Sequence, residues 1–207
     1  MTESPARDRA RNPPGEGIRL RGEIVGAAER LLATSKTPAT LTLRGIAAEA
    51  GITAPAIYPH FRGIDEILAA VVETRFLALS AALGAAVAGL PGGVGPLHVL
   101  RAKCLAYCRF GLGNPGHYAA LFASGDAHLG VPYENSAGER SFDDLRETVA
   151  AALGQVATAT RDADEAAALV WAAMHGLVVL RNSLTGFPWP DLESQVDLLV
   201  DAVVGRS

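Results

Sequence analysis

TLRGIAAEAGITAPAIYPHF, residues 42–61, reads as two short helices joined by a glycine turn. Thr42 stands where a helix needs a side-chain oxygen to cap its first free N–H groups, and Leu43–Ala50 follows as about two turns. Gly51 then supplies the left-handed residue that ends such a helix. After Ile52, Thr53 is a second capping residue, opening a helix from Ala54 to about His60. Ile46, Ala47, Ala50, Ile52 and Ile57 are placed to pack the two helices together, which leaves the opposite face free. Pro55 and Pro59 interrupt the second helix, since a proline ring removes an N–H donor and restrains its predecessor, so that helix is expected to be short and irregular at its end.

Upstream, apolar residues from Ile18 to Leu32 recur at helical spacing until Ser35–Ala39 breaks the pattern. Residues 1–17 show no periodicity and read as a disordered arm, with five arginines among residues 7–21. Downstream, Ile64-Asp65-Glu66 loads a helix start with negative charge, and that helix runs to about Gly89. A Pro/Gly loop covers residues 90–96, and further helices are expected at about Leu97–Gly111, His117–Ala123, Arg140–Thr160, Asp162 to Leu184 and Asp191–Val204. The chain is therefore expected to be all-α.

At 207 residues, 49% hydrophobic and 19% charged, the chain is long and apolar enough for a real core, which excludes a disordered chain or a miniature stapled scaffold. The apolar runs Leu77–Leu90 and Ala166–Leu180 are interrupted by Gly, Ser or His and read as too short to span a membrane. The start does not resemble a signal peptide, and Cys104 and Cys108 are too few for a disulfide framework, so a cytoplasmic location is expected. Residues 1–62 carry nine basic against six acidic side chains, a balance of +3, whereas residues 63–207 carry nine against sixteen, a balance of −7. A basic head on an acidic body suits phosphate contact, because phosphates neutralised by Lys and Arg release counterions.

With T-L-R-x-I-A-x-x-A-G-I-T-x-x-A-I-Y-x-H-F followed by Asp65-Glu66-Ile67-Leu68, residues 18–70 resemble the DNA-binding domain of the tetracycline-repressor (TetR) family of transcriptional regulators. The body adds NPGHYAALFA at residues 114–123 and WAAMHGLVVL at 171–180, similar to a subgroup with a C-terminal Trp-x-x-x-His-Gly signature. The resemblance implies a helix-turn-helix domain at 18–63 and a ligand-binding and dimerisation domain at 64–207. It further implies a homodimer on roughly palindromic double-stranded operator DNA, usually a repressor released by a small-molecule effector. Carried over by position, Thr42 and Arg44 contact phosphate, Thr53, Ala54, Pro55 and Ala56 open the recognition helix at the major groove, and Tyr58 and His60 reach phosphate or a base edge. Physical chemistry agrees: helix N-termini, Arg and Tyr donate to phosphate oxygens, and Ala can touch a thymine methyl. Phe61 is expected in the core. Two departures stand out: Pro55 occupies a position where the family often has a small residue, and Ile64 one where it commonly has Lys, with Arg62 as its substitute.

The resemblance gives the last two helices to dimerisation, the alternative being completion of a monomeric core. Tyr107, Phe110, Tyr118, Phe122, Trp171, Met174 and His175 combine apolar bodies with a few polar tips, as a small-molecule pocket does, although each residue type is also a common core residue. Cys104 and Cys108 share a helix face, with His98 and His117 off any ligand spacing, so buried apolar thiols are expected rather than a metal or redox site. No nucleophile elbow, phosphate-binding glycine loop or metal motif supports catalysis through His175, Tyr107 or Asp126, so no enzyme and no cofactor is expected. The rival reading is a helical ligand-binding or scaffold protein with a non-functional head, motivated by Pro55, Pro59 and Ile64.

Overall fold

The computed structural model describes residues 16–34, 41–122, 136–156 and 162–205. Among them are eight α-helices, one 3₁₀ helix and no strand. They are α1 (Glu16–Thr34), α2 (Leu43–Glu49), the 3₁₀ helix Ala54–Ile57, α3 (Ile64–Ala88), α4 (Pro96–Gly113), α5 (Pro115–Phe122), α6 (Ala137–Leu153), α7 (Ala163–Ser183) and α8 (Leu192–Val204). The all-α expectation holds. The helix expected over 140–160 stops at Leu153, because Gly154 caps it. Of the expected arm, Glu16 and Gly17 already belong to α1, and residues 1–15 lie outside the described residues.

Helix ends follow local chemistry. Ser136 Oγ accepts from Glu139 N, Asp162 accepts from Asp164 N and Glu165 N, and Asp191 accepts from Ser194 N, so each of these helices of the C-terminal half opens on an oxygen that satisfies first-turn N–H groups.

Two apolar cores form. The head core joins Ile24, Ala28 and Leu32 of α1 to Ile46, Ile57 and Phe61, and extends to Ile67 and Val71 on the first turns of α3. The body core begins further along the same helix at Leu79 and Leu83 and closes around α4, which packs against α3, α5, α6, α7 and α8. Helix α3 is thus common to both. So is α5: its Ala120 is buried in the head core and its Tyr118 in the body core. Beside this junction, Arg75 of α3 donates to Glu29 of α1 at 2.7 Å, and the His117 ring lies 2.9 Å from the Glu29 carbonyl oxygen.

Contrary to the sequence reading, Ile64–Ala88 and Ala163–Ser183 are long and apolar enough, by length and composition, to cross a membrane. Their scattered Gly and Ser residues lower the mean hydropathy too little to matter over a full helix. Both pack against neighbouring helices, α3 on α1 and α4, α7 on α4, α6 and α8.

Candidate DNA-binding head and ligand cluster

The stretch 42–61 folds as its pattern predicts at the turn. Thr42 is the cap of α2, its Oγ1 accepting from Gly45 N at 3.0 Å. Gly51 takes φ +69, a conformation that a Cβ makes strained, with Gly51 N donating to Ala48 O at 3.1 Å and Ile52 N to Ala47 O at 2.9 Å. That pair of bonds is a Schellman closure, which satisfies the last carbonyls of α2 and turns the chain toward Thr53. Ile46 and Ile57, both fully buried, clamp the two segments. Arg30 of α1 adds an ion pair to Glu49 at 2.6 Å.

The second segment is shorter than a helix to His60. It is a four-residue 3₁₀ helix with Pro55 in its first turn, followed by turn residues. Pro59 carries no N–H, so the chain closes instead through His60 N and Phe61 N, both donating to Ile57 O. Thr53 is exposed and its hydroxyl makes no capping bond. Arg44, Pro55 and Tyr58 are exposed, Tyr58 at 59%, and Ala54 and Ala56 are half-buried. His60 is also half-buried, its ring lying near Gly17 of α1, so it is the least available of the candidate contacts. Phe61 is core, at 1% exposure, with the Arg21 guanidinium 4.6 Å above its ring. Among the described residues neither Arg44 nor Arg62 forms an ion pair, so both charges face solvent; Arg62 N–H donates to Glu66, closing the start of α3.

In the body, five of the candidate residues meet. Tyr107 and Tyr118 hydroxyls are 2.8 Å apart, and the Tyr118 hydroxyl is 2.8 Å from His175 Nδ1, a hydrogen-bonded chain from α4 through α5 to α7. Phe122 lies 4.6 Å from the His175 ring and 6.2 Å from Trp171, centroid to centroid. Met174 is buried in the same core. Phe110 is elsewhere: with Arg109 and several alanines it lines an open groove of about 510 Å³ between α3 and α4. Sequence reasoning missed Phe76 and Phe142, whose rings lie 6.1 Å from Phe122 and 5.8 Å from Trp171. No local signal marks them, because they reach the cluster from α3 and α6.

Burial sets the charge state of these groups. It pushes the Tyr107 hydroxyl up to about 12 and raises Tyr118 further, the neighbouring Tyr107 adding to the effect. It lowers His175 below its ordinary value. All three are neutral near pH 7. Cys104 and Cys108 are free and buried, and burial pushes each thiol up to about 12, so little thiolate forms. Among the described residues no group of His, Cys, Asp and Glu side chains is arranged to hold a metal.

Residues 100–205 match the tetracyclin repressor-like C-terminal domain, and residues 24–71 match the bacterial regulatory proteins of the tetR family. No curated protein is similar in sequence. Solved structures agree over nearly the whole chain. A protein of unknown function from Rhodococcus sp. RHA1 is 25% identical with TM-score 0.72, covering 96% of this chain and 98% of its own. The TetR-family transcriptional regulator PfmR from Thermus thermophilus is 20% identical with TM-score 0.63, covering 89% and 95%. RolR in complex with resorcinol is 16% identical with TM-score 0.64, covering 93% and 89%. With its buried Schellman-closed helix pair inside one match and its aromatic body inside the other, the chain belongs to the tetracycline-repressor family of helix-turn-helix, DNA-binding transcriptional regulators, which are not enzymes.

Proposed function

We propose that this regulator is a homodimeric repressor that holds a roughly palindromic operator and leaves it when a small molecule enters the body. The observation that carries the reading is the exposure of Arg44, Thr53, Pro55 and Tyr58 on a helix pair clamped by the buried Ile46 and Ile57. Arg44, Thr42 and Tyr58 supply phosphate contacts that set register, and Ala54, Pro55 and Ala56 present a small apolar edge to the bases. His60 contributes from the rim.

The homodimer is supported by α7 and α8. Leu169 and Leu180, eleven residues apart on α7, share an exposed face, Val179 is exposed beside Leu180, and Leu198 on α8 is 72% exposed. Apolar side chains so placed are what a four-helix bundle between two copies buries. Two-fold symmetry then sets the heads about 34–36 Å apart, one turn of duplex.

The effector site is the cluster of Tyr107, Tyr118, Phe122, Trp171 and His175, with Met174 buried in the same core; the Trp171-x-x-x-His175-Gly176 run supports membership of the subgroup with that signature. A bound ligand in RolR supports a ligand-responsive body. The head is taken as residues 18–63 and the body as 64–207, coupled through α3 and α5. Tyr118 and Phe122 face the cluster, while His117 and Ala120 of the same short helix seat against α1. A shift of α5 on ligand entry therefore reaches α1 directly and biases the spacing of the heads.

Selection of sites from random duplex DNA at two salt concentrations tests this. A single palindromic site whose recovery survives the higher salt is expected, with Tyr58→Ala losing it while its melting temperature stays unchanged. The four-residue 3₁₀ helix favours the rival scaffold reading; recovery of no preferred sequence by the wild-type chain would mean either that a corepressor ligand is missing or that the head no longer reads DNA, which moves that rival up.

A further inference from the structure

We propose that the cluster between α5, α6 and α7 takes an uncharged, flat aromatic ligand bearing one hydroxyl or carbonyl group, and discriminates against organic anions of the same shape. This rests on reading the cluster as the effector site. Its walls are rings: Phe122 stands tilted against Tyr118 at 4.9 Å and edge-on to His175, while Trp171 and Phe142 meet at 63°. Trp171 is 39% exposed and Phe76, Phe122 and Phe142 are half-buried, so the ring cluster reaches the surface. A flat ligand entering between Phe122 and Trp171 exchanges ring–ring contact for ring–ligand contact of the same kind, and little apolar contact is lost.

The polar part of the cluster fixes the second half of the inference. Tyr118 has one hydroxyl proton and two neighbours, the Tyr107 hydroxyl and His175 Nδ1. In one arrangement Tyr107 donates to Tyr118 and Tyr118 to His175, which leaves an N–H at Nε2; in the reverse arrangement Nε2 is an acceptor. Among the described residues nothing occupies Nε2. The chain thus satisfies a ligand hydroxyl, which donates, or a ligand carbonyl, which accepts, without any change in net charge.

An anion has no such partner. The arginines and lysine of the body among the described residues already hold partners: Arg75 with Glu29, Arg101 with Asp197 and Asp201, Lys103 with Asp144, Arg109 with Glu193, Arg140 with Glu73, and Arg146 with Asp143. Arg181 donates to Gln195 and the Pro190 carbonyl and lies over the Trp189 ring. The tyrosines and histidine of the cluster are themselves neutral. A carboxylate entering there is stripped of water with no cation to replace it.

The test uses the full chain with Trp189→Phe, so that Trp171 is the sole tryptophan, titrated with biphenyl, 4-phenylphenol and biphenyl-4-carboxylate by quenching of its emission. 4-Phenylphenol is expected to bind at least about ten-fold more tightly than the carboxylate and more tightly than biphenyl. Tyr118→Phe, which removes one oxygen, and His175→Phe are each expected to abolish the advantage of the phenol over biphenyl while biphenyl binding persists; unchanged melting curves confirm that the variants fold. Carboxylate binding equal to or tighter than that of the phenol overturns the proposed ligand class while leaving the site. Absence of quenching by all three probes overturns the effector-site reading along with it.

Discussion

Replacing Gly111 by alanine drives a methyl group into the junction of three helices. A Cβ built at Gly111 of α4 falls 2.5 Å from Val178 Cγ1 and 2.7 and 2.9 Å from Tyr118 Cδ2 and Cε2, where ordinary contact begins at 3.4 Å. The neighbours must therefore retreat by about 1 Å. Neither is the free tip of a flexible chain. Val178 is fully buried on α7, and Tyr118, 2% exposed, is tied to Tyr107 and His175. Overpacking of this kind costs about 1–3 kcal/mol, and contact with two immobile partners puts Gly111→Ala at the upper end. Alanine in place of glycine within a helix returns about 1 kcal/mol, for a net loss of about 2 kcal/mol. In a chain of this size that lowers Tm by roughly 4–8 °C. Gly84→Ala is the matched control: Gly84 lies in α3 with nothing within 4 Å of a new Cβ, so only the helix gain remains and Tm should rise by a few degrees. Thermal melts of both variants at one protein concentration decide the matter. A Gly111→Ala protein that melts at or above the wild type would refute the packing argument.

Arg44→Ala removes one solvent-facing phosphate donor from each head, two in the dimer, and the slope of log affinity against log salt should become shallower by about 1.8 in filter-binding titrations; an unchanged slope removes Arg44 from the DNA contacts. Leu180→Glu combined with Leu198→Glu places charge on the exposed apolar faces of α7 and α8, and sedimentation should find a folded monomer in place of a dimer. A dimer that survives both changes moves the interface elsewhere. Burial lowers His175 below its ordinary 6.5, so the unfolded chain takes up this proton before the folded one does. The contribution of neutral His175 to stability is complete above pH 6.5 and is lost as pH falls toward the lowered folded value. As pH falls below about 6.5, Tm should therefore drop more steeply for the wild type than for His175→Asn, and parallel curves would contradict the assignment.

The two halves of the molecule share α3 and one short helix. Helix α5 has eight residues, yet it contributes Ala120 to the head core, His117 to the Glu29 carbonyl of α1, and Tyr118 and Phe122 to the ring cluster of the body. The neighbouring Glu29–Arg75 pair is mostly shielded from water, its side chains 16% and 20% exposed, and fastens α1 to α3 at the same junction. Movement of α5 along its axis cannot leave both contacts intact, because close-packed interiors shift between discrete arrangements rather than stretch.

Much of this protein is written in short-range chemistry. Thr42 as a cap, Gly51 as a left-handed closure, the pairing of Ile46 with Ile57 and the acidic openings at Asp65 and Asp162 all depend on groups within a few residues of one another, and each stands in the structure where the pattern puts it. The same locality explains the shortened 3₁₀ segment, since Pro55 and Pro59 act on their own backbone. Other features became visible only with the helices packed. Phe76 and Phe142 join the ring cluster, Phe110 leaves it for a separate groove, and Gly111, where the sequence reading ends a helix, is the point where α4, α5 and α7 approach too closely for a Cβ. His117 meets a carbonyl 88 positions away, and Tyr118 a histidine 57 positions away. Periodicity tells which residues of a helix turn inward, because burial of apolar surface is non-directional. Which inward residues touch depends on the crossing angle and rotation of each helix, and those are fixed only when the side chains of all the helices interlock at once.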